Sequence, residues 1–338
     1  MTESSVAVTF AVPDELSATF ARVPGQHVTL KTSIGTDVVR RSYSICSPLS
    51  SGDLTVGIKH LEGGVFSSFA NDGLSVGDVV EVTPPAGDFT IQPEPAAENH
   101  YIAVVAGSGI TPVLAMVASV LPAEPQSHFT LIYGNRDGRS IMFLEELDAL
   151  KNRFPDRLSL IHILSRESHL IPLFEGRIDQ DKLRTLFSSV VDAGTATAWY
   201  LCGPAGMVHA ARDVLTAGGV GPDAIHDELF YAGGDGPPSV AKVDLVGSTV
   251  RFTLAGRTST VTVDPEGSPI LDHALAVRPE APFSCRGGAC ASCRAVVTSG
   301  EVTMDKNWSL NQEEVDAGQI LTCQAHPVSE VVELTYDV

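Results

Sequence analysis

Hydrophobic and polar positions change period twice along the chain, and each change marks a new unit. In residues 1–96 apolar and polar residues alternate over short runs, Val6-Ala7-Val8-Thr9-Phe10 and Leu54-Thr55-Val56-Gly57-Ile58, and Val79-Val80-Glu81-Val82 follows a Gly-Asp turn. Alternation places every second side chain on one face of a strand, so many short, turn-separated runs predict an antiparallel β-barrel. Pro93-Glu94-Pro95-Ala96-Ala97-Glu98 reads as a linker. Over residues 100–232, compact apolar runs at 101–106, 129–133, 158–164 and 197–202 alternate with helical segments at 112–121, 142–154 and 205–217. Strands apolar on both faces are covered on both faces, which predicts an α/β domain around a parallel sheet. The Gly/Pro stretch Ala232-Gly233-Gly234-Asp235-Gly236-Pro237-Pro238-Ser239 opens a second linker, 233–246. Residues 247–338 form a third, smaller unit. It has a hairpin around Ala255-Gly256 and Ile270, Leu271, Ala274 and Leu275 at helical spacing. A strand at 294–298, a short helix at 312–317 and a last strand at 331–336 follow.

Composition narrows the function classes. A chain of 338 residues accommodates two or three domains, and 43% hydrophobic residues exclude a disordered polymer. Lys+Arg number 22 against 41 Asp+Glu, a formal charge of −19. Such a surface repels phosphate backbones and anionic lipid, which argues against nucleic-acid or membrane-surface partners. No run approaches the ~18 apolar residues of a bilayer span. Met1-Thr2-Glu3-Ser4-Ser5 lacks the basic and apolar regions of a secretory signal. A cytoplasmic location is the expectation.

The strongest chemical signal is cysteine spacing. Of Cys46, Cys202, Cys285, Cys290, Cys293 and Cys323, the last four fall near the end of the chain. Cys285-Arg286-Gly287-Gly288-Ala289-Cys290-Ala291-Ser292-Cys293 is C-x4-C-x2-C, and 29 residues separate Cys293 from Cys323. This is the plant-type 2Fe–2S spacing. Two irons and two sulfides need four thiolates around a very small volume, so three come from one tight loop. Its glycines let backbone N–H groups turn toward sulfur. Zinc sites usually pair two C-x2-C elements, and only one is present. A disulfide framework suits a small secreted chain. Cys285, Cys290, Cys293 and Cys323 are therefore the candidate metal ligands, and the unit resembles a plant-type ferredoxin, a β-grasp domain.

Three further segments carry a second resemblance. Arg41-Ser42-Tyr43-Ser44 follows a strand-like stretch, and Gly63-Gly64-Val65-Phe66-Ser67-Ser68 is a glycine turn opening a helix. Pro85-Ala86-Gly87-Asp88-Phe89 closes the barrel. A helix N-terminus offers free N–H groups to a pyrophosphate. In this order, ahead of an α/β domain, the segments resemble the ferredoxin–NADP reductase superfamily. That resemblance implies FAD. Arg41 would pair with its phosphate and Tyr43 would pack on the flavin or ribityl chain. Ser44 would lie near flavin N5, and Gly64, Val65, Phe66 and Ser67 would cradle the pyrophosphate.

Ala106-Gly107-Ser108-Gly109-Ile110-Thr111-Pro112 ends the first parallel strand and opens a helix. It is not G-x-G-x-x-G, yet small residues still permit close backbone approach at a helix N-terminus. Cys202-Gly203-Pro204 ends the fourth strand at the same sheet edge. The resemblance implies that Gly107, Gly109, Thr111, Cys202 and Gly203 flank a nicotinamide, with Cys202 a positioning group. Glu228-Leu229-Phe230 matches a segment whose aromatic approaches the flavin, although Phe230 equally suits core packing. The implied catalytic set is Ser44, Cys202, Glu228 and Phe230. Ser165-Arg166, assisted by Arg136, would hold a 2′-phosphate, where an NADH site more often carries a carboxylate. NADPH is therefore expected over NADH. The isolated histidines His27, His60, His162 and His209 read as structural.

The order flavin, nicotinamide, ferredoxin resembles the reductase components of multicomponent oxygenases. Gly25-Gln26-His27-Val28, Leu131-Ile132-Tyr133-Gly134-Asn135-Arg136, Gly176-Arg177-Ile178-Asp179 and Asn307-Trp308-Ser309-Leu310 bring it near the reductases of di-iron epoxidases acting on phenylacetyl-CoA. Reductases of ketosteroid 9α-hydroxylases and other ring-hydroxylating oxygenases are the alternative, and a non-catalytic iron–sulfur redox sensor is the alternative outside enzymes. Hydride brings two electrons and a 2Fe–2S cluster takes one, so the implied order is NADPH, FAD, cluster, oxygenase. Residues 248–338 carry 6 Lys/Arg and 12 Asp/Glu, which suits transient docking to a basic patch. The resembled family opens with one strand more than this chain, so an exposed barrel edge is expected near Val6.

Overall fold

A computed structural model describes residues 1–35, 37–230 and 247–337; the linker expected at 233–246 lies outside the described residues. The chain divides into two units, Met1–Phe230 and Tyr231–Val338.

The first unit opens with antiparallel strands. β1 (Ser5–Phe10) pairs with β4 (Leu54–Lys59), while β2 (His27–Ile34) lies between β3 (Asp37–Ser44) and β5 (Glu81–Val82). A bridge from Ile45 to Val56 joins the two sheets. Their inward positions Val28, Leu30, Ile45, Leu54, Val56 and Ile58 close on Phe66 and Ala70 of α1 (Val65–Asp72). β5 is shorter than the run 79–82 predicts. A Ser75–Asp78 turn holds Val79 in solvent at 92% exposure, leaving two residues to pair.

The α/β part follows β6 (His100–Ala106), α2 (Ile110–Ala123), β7 (His128–Asn135), α3 (Leu144–Arg153), β8 (Leu158–Leu164), α4 (Gln180–Ser189), β9 (Ala198–Gly203), α5 (Ala205–Ala217) and β10 (Ile225–Leu229). Its sheet is wholly parallel, in the order β10-β9-β6-β7-β8. The chain runs outward from β6 through β7 and β8, then returns to pair β9 on the other side of β6. That reversal opens a crevice beyond the carboxyl ends of β6 and β9, where ligands bind in open α/β sheets. The segment 93–98 has no helix or strand and is tied to the α/β part. The Glu94 N–H donates to the Glu124 carboxylate at 2.9 Å, and the Ser127 hydroxyl donates to the Ala97 carbonyl at 3.2 Å. Glu124 is fully buried and also accepts from the Tyr101 hydroxyl. A Cβ on Gly57 would lie 2.8 Å from Thr111 Cγ2, so β4 packs flush against the start of α2.

The second unit is a mixed sheet of β11 (Ser248–Leu254), β12 (Arg257–Val263), β13 (Arg294–Ser299), β15 (Gln319–Leu321) and β17 (Val331–Thr335), with the short pair β14 (Val302–Met304) and β16 (Ala325–Pro327) beside it. β11 and β17 run parallel at its centre. Helices α6 (Ile270–Val277) and α7 (Gln312–Asp316) complete it, and Cys293 and Cys323 belong to its core.

Candidate cofactor sites

The four C-terminal cysteines come together as two pairs. The Cys290 thiol donates to Cys285 and the Cys293 thiol donates to Cys323. Gly287 and Ala289 add backbone N–H bonds to Cys285 Sγ at 3.3 and 3.4 Å, and the Cys285 N–H reaches Cys290 Sγ at 3.4 Å. The Cys290 hydrogen bond, with these N–H groups behind it, lowers the Cys285 thiol below its ordinary value against the effect of burial. The winding is demanding. Arg286 and Ala291 hold positive φ, and a Cβ on Gly288 would lie 2.8 Å from the Lys306 carbonyl. Such strain persists where surrounding structure over-determines it, as at a ligand loop. Thr322 anchors the second pair by bonding the Cys293 carbonyl through its N–H and its hydroxyl. Two thiols for each of two irons is what a sulfide-bridged pair requires. A lone zinc would need all four sulfurs around one point. Among the described residues no group of three or more His, Cys, Asp or Glu converges on one ion site. The residues fit a 2Fe–2S cluster.

On the barrel, β3 carries Arg41, Tyr43 and Ser44. The Arg41 guanidinium is exposed and donates to the Arg40 carbonyl at 2.7 Å. The Tyr43 ring lies 5.5 Å from Phe66, and burial raises its phenol above the usual range. At α1, Phe66 points into the core, so only its backbone can serve a ligand. The Ser67 hydroxyl is spent on the turn, accepting from the Leu61 N–H and donating to the Gly64 carbonyl. A Cβ on Gly64 would lie 2.5 Å from Ser67 Oγ, so the turn needs glycine. The first-turn N–H groups of Val65, Phe66 and Ser67 have no carbonyl within their own helix, which suits a pyrophosphate.

Both sides of the sheet crevice are glycine. A single 3-10 turn, Gly107–Gly109, joins β6 to α2. A Cβ on Gly109 would stand 2.3 Å from the Cys202 carbonyl, and one on Gly203 would stand 2.8 Å from Met207 Cε. The Thr111 hydroxyl donates to the Ser108 carbonyl and therefore braces the turn. Cys202 is fully buried, and burial followed by the nearby Glu228 raises its thiol well above the ordinary value. It is no nucleophile. Glu228 sits in register with Cys202 on β10. Its Oε2 accepts from Ser44 Oγ at 3.2 Å, and its Oε1 lies 3.8 Å from His27 Nδ1. Phe230 packs, partly buried, on the α/β core.

Burial pushes the Glu228 carboxyl up to about 7 from 4.5, against the Ser44 hydrogen bond. A raised carboxyl pKa stabilises the fold fully below the unfolded value. That contribution is lost as pH climbs through the folded one. Melting curves between pH 4.5 and 7 should therefore show a falling Glu228 contribution for the first unit, absent in Glu228→Gln. Parallel curves for the two proteins would contradict it.

Two residues at this crevice lie outside the site set expected from the sequence. His27 faces Glu228. Lys59 ends β4, and its ammonium stands 3.7 Å from where a Gly107 Cβ would be, with Arg136 and Asp137 nearby. Among the described residues no hydrogen bond or ion pair to Lys59 Nζ is found. Burial, then Arg136, lowers its pKa.

Beyond the end of β8, Ser165, Arg166, Glu167, Ser168, Pro172, Glu175 and Gly176 line a cavity of about 450 Å³. The Ser165 and Arg166 N–H groups bond the Asn135 and Arg136 carbonyls, which sets the Arg136 backbone beside that of Arg166. Both acids there are engaged. Glu167 accepts from the Gly138 N–H and Glu175 from the His169 N–H.

Comparison with known proteins gives three domain matches: an oxidoreductase FAD-binding domain over residues 2–91, an oxidoreductase NAD-binding domain over 103–213 and a 2Fe-2S iron-sulfur cluster binding domain over 252–328. One of the subunits of the 1,2-phenylacetyl-CoA epoxidase of Escherichia coli K12 is 40% identical over 336 residues, covering 99% of this chain and 94% of that one. The ferredoxin reductase component of 3-ketosteroid-9-alpha-monooxygenase from Mycobacterium tuberculosis is 35% identical over 348 residues, covering 99% and 93%. Among solved structures, an intact type IV self-sufficient cytochrome P450 monooxygenase matches with a TM-score of 0.69 and 22% identity. The match covers 98% of this chain and 39% of that longer enzyme. A ferredoxin NADP+ reductase from Neisseria gonorrhoeae, with bound FAD and NADP, matches with a TM-score of 0.56 and 17% identity, over 68% of this chain and 93% of that one. At these identities the structural matches speak to the fold alone.

Proposed function

Because the chain belongs to the family of oxygenase reductase components that join FAD-binding, NAD-binding and 2Fe–2S domains, we propose that it takes hydride from NADPH and supplies single electrons to the di-iron oxygenase of a phenylacetyl-CoA epoxidase. The carrying observation is similarity at 40% identity across nearly all of both chains. The 35% identity to a ketosteroid monooxygenase component supports the alternative oxygenase.

In this reading residues 1–96 hold FAD, 100–232 the nicotinamide dinucleotide and 247–338 the cluster. Once bound, the flavin supplies the conversion of a hydride pair into single electrons, which the cluster relays. The chain's own residues position and insulate. Arg41 and the first-turn N–H groups of α1 bind the flavin's phosphates, and Tyr43 covers its ring system. Gly107, Gly109 and Gly203 let the nicotinamide approach the backbone, beside Cys202. Ser44 and Glu228 hold a proton at the flavin edge, and Phe230 shields that edge from water. Ser165, Arg166 and Arg136 select the 2′-phosphate. The acidic C-terminal unit docks transiently on a basic patch of the oxygenase, and its four free thiols suit a reducing cytoplasm.

Lys59 adds a cation from the barrel to the crevice, where it would meet the dinucleotide's phosphates. Lys59→Gln should raise KM for NADPH about tenfold with kcat little changed, the expected scale for one hydrogen bond to a charged group. A drop in kcat at unchanged KM would contradict this placement.

The test of function is direct. Purified protein should reduce ferricyanide and cytochrome c with NADPH, and should support epoxidation of phenylacetyl-CoA when mixed with the oxygenase subunits. NADPH oxidation without epoxidation would move the assignment to another oxygenase. The absence of NADPH and NADH oxidation would favour a redox sensor.

A further inference from the structure

Of the chain's two tryptophans, Trp199 is buried at 1% exposure and Trp308 stands 38% exposed. An exposed apolar side chain is ordinary by itself. This one is built onto the cysteine loop. Trp308 sits in a closed turn: the Asn307 amide donates to the Leu310 carbonyl and accepts from the Leu310 N–H, both at 2.9 Å. Leu310 is buried in the core of the unit and anchors one end. The Gly288 carbonyl then accepts from the Trp308 N–H at 3.0 Å and from the Ser309 hydroxyl at 3.2 Å. Gly288 lies between Cys285 and Cys290, the half-buried pair of thiols, whereas Cys293 and Cys323 are buried. The indole is therefore carried on fixed backbone, beside the loop whose thiols lie nearest to solvent.

The surrounding charge suits one kind of partner. Two cations of this region are answered within the unit, Arg286 by Asp272 at 2.9 Å and Arg294 by Glu314 at 3.2 Å. Lys306 adds one positive charge before the turn, and Glu313 and Asp316 of α7 add two exposed negative ones after it. We propose that Trp308 is the anchor on which the cluster unit docks, its indole set against a basic surface of the oxygenase. An arginine or lysine of that partner lies over the ring, and further cations face Glu313 and Asp316. The inference rests on the reductase reading above and names the part of this chain that meets the partner. Among aromatic rings the indole attracts a cation most strongly. Interface anchors are few and aromatic, while charges at the rim mainly steer the encounter. A turn already fixed by hydrogen bonds loses little freedom on binding, which suits a contact made and released with each delivery. Docking here also brings the partner to the side of Cys285 and Cys290, where the ligand loop is least covered.

The test measures, by calorimetry, binding of the flavin- and cluster-loaded protein to the phenylacetyl-CoA oxygenase. Ferricyanide reduction and the paramagnetic signal of the NADPH-reduced cluster are recorded beside it. Trp308→Ala should weaken binding at least about tenfold, the scale of an interface anchor, with ferricyanide reduction and the cluster signal unchanged. Trp308→Phe keeps an aromatic face and should recover most of the affinity. Glu313→Gln combined with Asp316→Asn should weaken binding in dilute buffer. That difference should vanish in high salt, whereas the effect of Trp308→Ala should persist. Unchanged affinity in Trp308→Ala overturns the proposal. Loss of the cluster signal in that variant overturns it too, because the indole would then hold the loop rather than the partner. The acid pair gives a reading that does not depend on the Trp308 variants: affinity indifferent to it in dilute buffer overturns the basic partner. An oxygenase that fails to bind even the unaltered protein counts against the function proposed above, and the same comparison with the ketosteroid oxygenase then decides the docking proposal.

Discussion

Replacing Cys290 with alanine should abolish electron delivery to cytochrome c and to the oxygenase while leaving ferricyanide reduction by NADPH largely intact. Cys290 is the donor to Cys285, and each thiol pair serves one iron in this account. With one ligand missing the loop cannot close a four-thiolate cage. The expected loss at the one-electron acceptors is at least about a hundredfold, because ligand removal is expected to exceed the ~10–100-fold effects seen when outer-shell partners are lost. Flavin absorbance and hydride uptake belong to the first unit, Met1–Phe230, and should persist. The second unit should also melt earlier, because metal–thiolate binding is folding free energy for a small domain. Iron and acid-labile sulfide analysis, run beside the two acceptor assays, checks this. Cytochrome c reduction that survives loss of iron and sulfide would mean that the cluster and flavin are not in series.

Replacing Arg166 with alanine should raise KM for NADPH about 10- to 100-fold and barely change that for NADH, because charge-assisted hydrogen bonds to phosphate carry roughly 1.5–3 kcal/mol each. Arg166 is exposed, at the rim of the 450 Å³ cavity beyond β8. Its backbone is held by the Arg136 carbonyl. The two acids of the cavity are tied to N–H groups of Gly138 and His169, which turns them from ribose hydroxyls. The check is the ratio of kcat/KM for NADPH and NADH in both proteins. If the ratio is unchanged by the substitution, the dinucleotide is selected elsewhere.

Legibility in the sequence follows how local each feature is. The cysteine loop is readable because thiolate chemistry dictates spacing within nine residues of chain. The parallel sheet is readable because strands covered on both faces are apolar throughout. β10 escapes that pattern. Ile225-His226-Asp227-Glu228-Leu229 lies at the sheet edge and keeps three polar residues between two buried ones. The anchoring of the 93–98 segment escapes the sequence for a different reason. Its prolines resemble a spacer, but the buried carboxylate that holds it, Glu124, lies on the far side of β6 and α2. The grouping of His27 with Ser44 and Glu228 is least readable. His27, Ser44 and Glu228 come from the barrel and from the last strand of the α/β sheet, and only the folded register sets them together. Lys59 carries no local signature either. A lysine closing a strand gains meaning only when Gly107 lies beside it.

The most direct measurement of the central claim is an anaerobic titration with NADPH, followed by visible absorbance for the flavin and by electron paramagnetic resonance for iron. Stepwise addition should bleach the flavin and produce, in the same chain, the signal of an iron–sulfur centre holding one extra electron. That signal should disappear in Cys290→Ala. A flavin that bleaches completely while the iron remains silent under excess NADPH would contradict the account.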